Sequence, residues 1–282
     1  MRVALTGATG FTGRFVSAAL EQVGALAIPL RVDLRDSEAV QHAVHAIDFD
    51  CMIHLAGQAF VNAEDWQAFY AINQIGTYNL LQAVAGKAPG TRCILSSSAQ
   101  VYGPGAAGLI TEEASCHPAN HYAVSKHAME IGADLWRDQL EIVITRPFNY
   151  TGVGQGEQYL IPKIVSHFRR RLPAIELGNT WVRRDFGDVR SVAAAYAGLA
   201  IAPSVPPVVN IATGTVSSIS DILASLTAIS GHSIEVRVNE AFVRKGDVEV
   251  LGGAPQRLCE TLPSWSPRNL DDTLEWMYSA AA

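Results

Sequence analysis

The chain has 282 residues, a formal net charge of −6, 49 % hydrophobic and 17 % charged residues, which is enough apolar side chain for a large buried core. The acidic balance argues against nucleic acid or an anionic membrane as partner, and no apolar run reaches the length of a membrane span. The first apolar run starts at Arg2, too early for a signal peptide, so a cytoplasmic protein is expected.

In chain order, strands are predicted at 3–6, 25–30, 51–55, 92–96 and 141–146, and helices at 14–23, 37–47, 64–84 and 119–139. The strands are continuously rather than alternately apolar, which predicts burial on both faces. Their alternation with helices predicts an α/β fold with a doubly wound parallel sheet over residues 1–150. After Pro147 the pattern loosens and Gly and Pro become denser. A helix at 220–230 and a strand at 234–238 suggest a smaller C-terminal α/β lobe over 151–282, with segments returning to the first domain. Cys51, Cys93, Cys116 and Cys259 are widely spaced and form no C-x-x-C pair, so reduced thiols and no metal site are expected.

Two local patterns carry chemistry. The turn Gly7-Ala-Thr-Gly-Phe-Thr-Gly13 follows the first strand and opens the first helix. Strand, glycine turn and helix in that order predict dinucleotide binding, because glycines admit a pyrophosphate and the helix N-terminus offers N–H groups to it. Further on, Tyr122 and Lys126 stand at i and i+4, on one face of a helix. A nearby cation favours the phenolate, so Lys126 is expected to lower the Tyr122 pKa from its usual value of about 10. Upstream, Ser96-Ser-Ser-Ala-Gln-Val-Tyr-Gly103 ends a strand and sets hydroxyls at the sheet's carboxyl edge, where ligands of such sheets bind.

These residues, with His54-Leu-Ala-Gly57, Asn73-Gln-Ile-Gly-Thr-Tyr-Asn-Leu-Leu81 and Arg146-Pro-Phe-Asn149, resemble in order the motifs of the extended short-chain dehydrogenase/reductases, nucleotide-sugar epimerase/dehydratase branch. The resemblance implies a Rossmann domain that binds NAD(P). Gly7, Thr9, Gly10, Phe11, Thr12 and Gly13 would hold the pyrophosphate. Asp33 and Leu34 match the segment beside the adenine, and Leu55, Ala56 and Gly57 would line the ribose side. Pro147 and Phe148 would sit by the nicotinamide. Tyr122 would be the acid/base, Lys126 its activator and ribose anchor, and Ser98 the hydrogen-bond donor to the reacting sugar oxygen. Ser96 and Ser97 are read as satisfied strand-end hydroxyls.

The second half resembles the GDP-mannose dehydratase and GDP-4-keto-6-deoxymannose reductase group, through Arg146–Gln155, Leu160–Phe168, Leu177-Gly-Asn179, Arg184–Arg190 and Phe242–Gly252. That implies a GDP-linked substrate touched by Ser98, Gln100, Asn149, Lys163, Arg184 and Arg244, the two arginines clamping the diphosphate. Trp181 and Phe186 are read as core. Dehydratases of the family carry a carboxylate where this chain has Gln100. Glutamine cannot take a proton, so hydride transfer to a sugar C4 ketone is expected, giving a GDP-rhamnose-type product, with a nucleotide-sugar 4-epimerase and, more distantly, a non-enzymatic dinucleotide sensor as alternatives. No acidic residue ends the second strand to reject a 2′-phosphate. NADP(H) is therefore preferred to NAD(H), with Arg31 and Arg35 as phosphate acceptors or, alternatively, solvated surface charge. The resemblance also implies a homodimer packed through helices 64–84 and 119–139, whose apolar residues could equally be covered by the chain's own sheet.

Overall fold

The computed structural model describes residues 1–59, 65–104, 106, 108–240 and 249–280. The chain begins β1 (Arg2–Thr6), α1 (Phe11–Gln22), β2 (Leu26–Leu30), α2 (Ser37–His45) and β3 (Cys51–His54). A composite helix follows: α3 (Gln67–Phe69), a wide π-type turn over Tyr70–Ile75, and α4 (Gly76–Lys87). Next come β4 (Arg92–Ser96), a 3-10 turn Ala99–Tyr102, β5 (Gly108–Ile110), α5 (His121–Ala133), β6 (Glu141–Pro147) and β7 (Asn149–Thr151). The second half adds α6 (Leu160–Arg169), β8 (Ala174–Leu177), β9 (Arg183–Arg184), β10 (Phe186–Asp188), α7 (Val189–Ile201) and β11 (Val208–Ile211). It closes with β12 (Ser217–Ser218), α8 (Ile219–Ser230), β13 (Glu235–Val238), β14 (Val250–Gly253), α9 (Gln256–Thr261) and α10 (Leu270–Ser279).

Six parallel strands form the central sheet in the order β11-β6-β4-β3-β1-β2. The chain runs outward from β1 to β2, then crosses back to β3 and continues the other way. Order reverses between β1 and β3, and a crevice opens beyond their carboxyl ends at such a point. Successive strand residues serve opposite faces. Val3, Leu5, Ile53, Ile94 and Val143 join α1 and α7 in one core, whereas Ala4, Met52, Leu95, Ile142 and Ile144 join α2, α4 and α5 in the other. Burial on both faces explains the continuous apolar runs; each fully buried Leu or Ile contributes about 1.5–3 kcal/mol.

β2 departs from the expectation of two-sided burial. It is the sheet's edge, its Leu26 is 55 % exposed, and Pro29 is tolerated there because an edge strand need not donate on both sides. The first helix starts at Phe11 rather than residue 14, since the glycine turn itself delivers Gly10 as the N-cap. The helix expected over 119–139 starts at His121, where Asn120 caps it, and tightens into a 3-10 turn at Asp134–Trp136. Among the described residues a second sheet has the order β12-β9-β14-β5, and β7 pairs with β10 and β8 with β13. Trp181, expected in the core, is 56 % exposed at the approach to β9, while its neighbour Val182 and Phe186 are the buried residues. All four cysteines are free. No helix among the described residues is long and apolar enough to cross a membrane.

Candidate active site

The crevice beyond β1 and β3 is built by the glycine turn. Gly7 has φ +71°, and a Cβ there would lie 2.8 Å from the Ala56 nitrogen. A Cβ on Gly13 would lie 2.1 Å from the Gly7 carbonyl oxygen, so the turn can close only on hydrogen. Gly10 caps α1 with no side-chain hydrogen bond, which leaves first-turn N–H groups to a ligand's phosphates. Next to Ala56, Gly57 is closely hemmed in: a Cβ would sit 3.2 Å from the Lys126 Nζ and 3.0 Å from the Asn73 Oδ1, so those side chains would have to give. These residues fit a nicotinamide dinucleotide. Its pyrophosphate would lie on Gly7–Gly13, and its ribose would lie against Leu55–Gly57 and Lys126.

A buried polar network fixes the segment after β3 against the end of β1. Ala56 N–H donates to Thr6 Oγ1 (3.2 Å), which pairs with His54 Nδ1 (2.6 Å); His54 Nε2 pairs with Thr77 Oγ1 (2.9 Å). The Thr77 hydroxyl donates to the Asn73 carbonyl (2.7 Å), so its oxygen must accept from His54 Nε2–H, and Nδ1 accepts from Thr6. The ring is therefore neutral, and burial, helped by Lys126, pushes its pKa down to about 3. Asn73 then clamps the segment after β3: its Oδ1 accepts from Gln58 N (2.7 Å), and its Nδ2 donates to Gln58 O (3.0 Å) and to Ser125 Oγ (3.1 Å). Asn73 lies in the π-type turn, and such widened turns are frequent at functional sites. The motif around His54 and Asn73 was visible in the sequence; the joint task of the two residues was not.

His54 makes stability pH-dependent. Its folded pKa lies below the ordinary histidine value of 6.5, so its contribution is complete above that value and is lost as pH falls from 6.5 towards 3. Denaturant unfolding should show stability dropping by up to about 1.4 kcal/mol per pH unit through that window. His54→Asn, less stable at neutral pH, should show a flatter slope. Equal slopes in the two proteins would remove His54 as the cause.

Tyr122 and Lys126 project from α5 into the crevice, facing Ser98 at the carboxyl edge of β4. Ser98 Oγ accepts from the Gln100 amide (3.2 Å), leaving its own proton to donate outward. Burial pushes the Tyr122 phenol up to about 12, and the Ser98 side chain offsets this in part. The expected lowering by Lys126 is overridden: desolvation dominates at Tyr122, and the ammonium is turned to the Ser96 carbonyl at 2.7 Å. Lys126 is itself pushed down to about 8 by burial, with Glu130 pulling the other way. A phenol that keeps its proton is suited to give it to a developing alkoxide. Gln100 braces the site: Asn120, the N-cap of α5, donates from Nδ2 to its Oε1 (3.1 Å), locking the Ser98 turn to the helix that carries Tyr122. Phe69 meets the Tyr122 ring edge-on at 5.8 Å.

Other expected contacts resolve differently. Arg35 is bound by Asp33 through Nε (2.9 and 3.2 Å) and Nη2 (2.6 Å), and this pairing takes the Asp33 carboxyl down to about 2. The two residues pair with each other at the surface, whereas Arg31, exposed just past β2, makes no ion pair among the described residues. Leu34 is buried under α4, its carbonyl accepting from Asn79 (2.9 Å). Thr12 pairs with the Tyr150 hydroxyl (2.8 Å), on which Phe11 stacks at 6.2 Å, while Thr9 is exposed. The Phe148 ring is packed away from the crevice with Tyr102, Ile110 and Ala212, so that what Pro147 and Phe148 offer is strand-end backbone. Asn149 is exposed and donates to the Asp185 carbonyl (3.3 Å), Lys163 Nζ reaches the Glu176 carbonyl (3.0 Å), and Arg184 extends from β9. Arg244 lies outside the described residues. Asp185, missed from sequence, is a buried carboxylate that accepts from Thr213 Oγ1 (2.8 Å) and from the amides of Thr213, Gly214 and Gly253, fixing β9 beside β14.

A parallel sheet with its glycine turn at the reversal, and a Ser-Tyr-Lys set at the same edge, define an NAD(P)-dependent enzyme of the short-chain dehydrogenase/reductase type. The family profile for GDP-mannose 4,6 dehydratase matches residues 27–277, and the chain belongs to that family. It is 33 % identical to a GDP-6-deoxy-D-talose 4-dehydrogenase of Aggregatibacter actinomycetemcomitans, over 93 % of this chain and 91 % of that one. It is 31 % identical to a GDP-6-deoxy-D-mannose reductase of Pseudomonas aeruginosa, over 94 % and 92 %. The solved structure of RMD from Pseudomonas aeruginosa, complexed with NADPH, superposes with a TM-score of 0.89 at 29 % identity, covering 99 % of this chain and 97 % of that one.

Proposed function

We propose that the chain is a GDP-deoxyhexose oxidoreductase that reduces the C4 ketone of a GDP-linked 4-keto-6-deoxyhexose. The observation that carries this reading is the Ser98–Tyr122 hydroxyl pair at the crevice, with Gln100 serving as a brace where elimination would need a base. The bound nicotinamide supplies the hydride. Tyr122 gives its proton to the C4 oxygen as that oxygen gains electrons, and Ser98 donates to the same oxygen. Lys126, on the opposite wall from the glycine turn, anchors the ribose hydroxyls. Asn149, Lys163, Arg184 and Arg244 hold the nucleotide side of the substrate. The two curated relatives, named for GDP-6-deoxyhexoses, support the choice of sugar.

The test is nicotinamide absorbance on mixing the protein with NADPH or NADH and GDP-4-keto-6-deoxymannose. Stoichiometric oxidation supports the reductase. No oxidation, with NAD released only on denaturation, replaces it with a 4-epimerase. NADP(H) is the preferred coenzyme, with Arg31 as the phosphate acceptor. Arg31→Ala should raise the KM for NADPH about tenfold, the size of one charge-assisted contact, and leave that for NADH unchanged. An equal effect on both coenzymes removes Arg31 from this role.

The protein works as a homodimer through α4 and α5. Ile131, 60 % exposed, and Leu135, 79 % exposed, are large apolar side chains that the chain's own sheet leaves uncovered, as are Val124 and Ile75. Sedimentation should give a dimer that Leu135→Glu dissociates, and a monomeric parent protein ends this reading.

A further inference from the structure

On α5, beside the residues that face the crevice, lies a second cluster that the proposed reaction does not use. The Cys116 thiol, the His127 imidazole and the Glu130 carboxylate each present a ligand atom, and the three atoms lie within 4.8 Å of one another. His127 and Glu130 are three residues apart on α5 and so share one helix surface. Cys116 comes from the segment between β5 and α5. Glu130 is buried and the other two are half-buried.

Two features separate this cluster from a chance meeting of polar groups. First, His127 Nδ1 is buried, and its nearest polar partner is the Glu130 Oε2 at 3.6 Å, an ion-pair distance but long for a hydrogen bond. A buried nitrogen with so long a contact is weakly satisfied, and a cation bound between it and Glu130 would give it a close partner. Second, the carboxylate is held in place from behind. Arg146 donates from Nε to Glu130 Oε1 (3.0 Å) and from Nη2 to Oε2 (2.6 Å), and its guanidinium lies 4.9 Å from the Tyr102 ring centre. Such outer partners orient the ligands of metal sites and are common behind a coordinating carboxylate.

We propose that Cys116, His127 and Glu130 form a binding site for a thiophilic divalent cation of the zinc class. One sulfur, one nitrogen and one oxygen ligand suit that ion, with water as the fourth. Binding forms a sulfur–metal bond and releases the thiol proton to solvent. The cation ties the β5–α5 segment to the helix that carries Tyr122 and Lys126. The expectation of no metal site rested on cysteine spacing. It passed over this set because the single cysteine is eleven residues from a His-x-x-Glu pair, and only folding brings them together.

The experiment is a Co²⁺ titration of the metal-free full-length protein, read by the thiolate-to-cobalt charge-transfer band and the visible ligand-field bands, followed by displacement with Zn²⁺. The expected result is saturation at one ion per chain. The charge-transfer band should vanish in Cys116→Ser and in Cys116→Ala, and it should persist in Cys259→Ser. His127→Ala should weaken binding by at least the roughly tenfold that loss of an outer partner costs a metal site. Circular dichroism and melting of each variant confirm that the fold survives. Absence of a thiolate band in the parent protein overturns the proposal, as does a band that survives removal of Cys116 or binding unchanged in His127→Ala. None of these readouts depends on the proposed reductase activity.

Discussion

Replacing Tyr122 by phenylalanine should lower kcat/KM for ketosugar reduction by about 10²–10⁴-fold, the usual worth of a positioned general acid. The effect should fall on turnover and not on coenzyme binding. The ring keeps its edge-on contact with Phe69, and the glycine turn and Lys126 remain in place. Steady-state rates, together with NADPH binding followed by fluorescence, separate the two. Burial leaves the phenol protonated far above neutral pH, so at pH 7 the parent enzyme holds its proton ready and the variant has none to give. A variant retaining more than half of the parent rate would show that the proton comes from elsewhere.

The second large effect is expected at Gly13. Alanine there sets a Cβ 2.1 Å from the Gly7 carbonyl oxygen and 2.7 Å from the Ala8 Cα, both backbone atoms that cannot swing aside. Opening the turn should cost about 1–3 kcal/mol of stability and move the first-turn N–H groups away from the pyrophosphate. NADPH binding by calorimetry should weaken at least about tenfold, or ~1.4 kcal/mol. Gly86, inside α4 with nothing within 4 Å of its Cβ position, is the matched control. There alanine should stabilise by roughly 0.5–1 kcal/mol, since it lowers the entropy lost on forming the helix. If both variants bind NADPH like the parent, the turn is not the coenzyme cradle.

Much of this was legible before folding because it is local. A glycine turn between strand and helix carries its geometry in the spacing, and strands buried on both faces advertise themselves as unbroken apolar runs. The edge strand β2 misled for the same reason: apolar side chains say nothing about how many neighbours a strand has. Trp181 misled because a large ring suggests burial, and only the start of β9 decides which of Trp181 and Val182 turns inward. The pairing of Arg35 with Asp33, two residues away, shows only in the folded chain. The Tyr122 pKa escaped because the i, i+4 spacing shows the cation but not the dry surroundings. His54, Asn73 and Asp185 act through partners between 15 and 68 residues away, so their bracing roles exist only in the folded chain.

The strand pairings also govern how the chain can be made. β6 lies between β4 and β11, and β5 pairs with β14, so segments from the first half wait for partners near residues 208–211 and 250–253. A polypeptide released after β7 would expose the open side of β6 and leave β5 unmatched. Unpaired edges of that kind recruit other chains. During synthesis, β6 therefore stands as an unpaired margin until some sixty more residues have emerged. Splitting the protein at residue 150 should give two insoluble fragments that become soluble only when produced together.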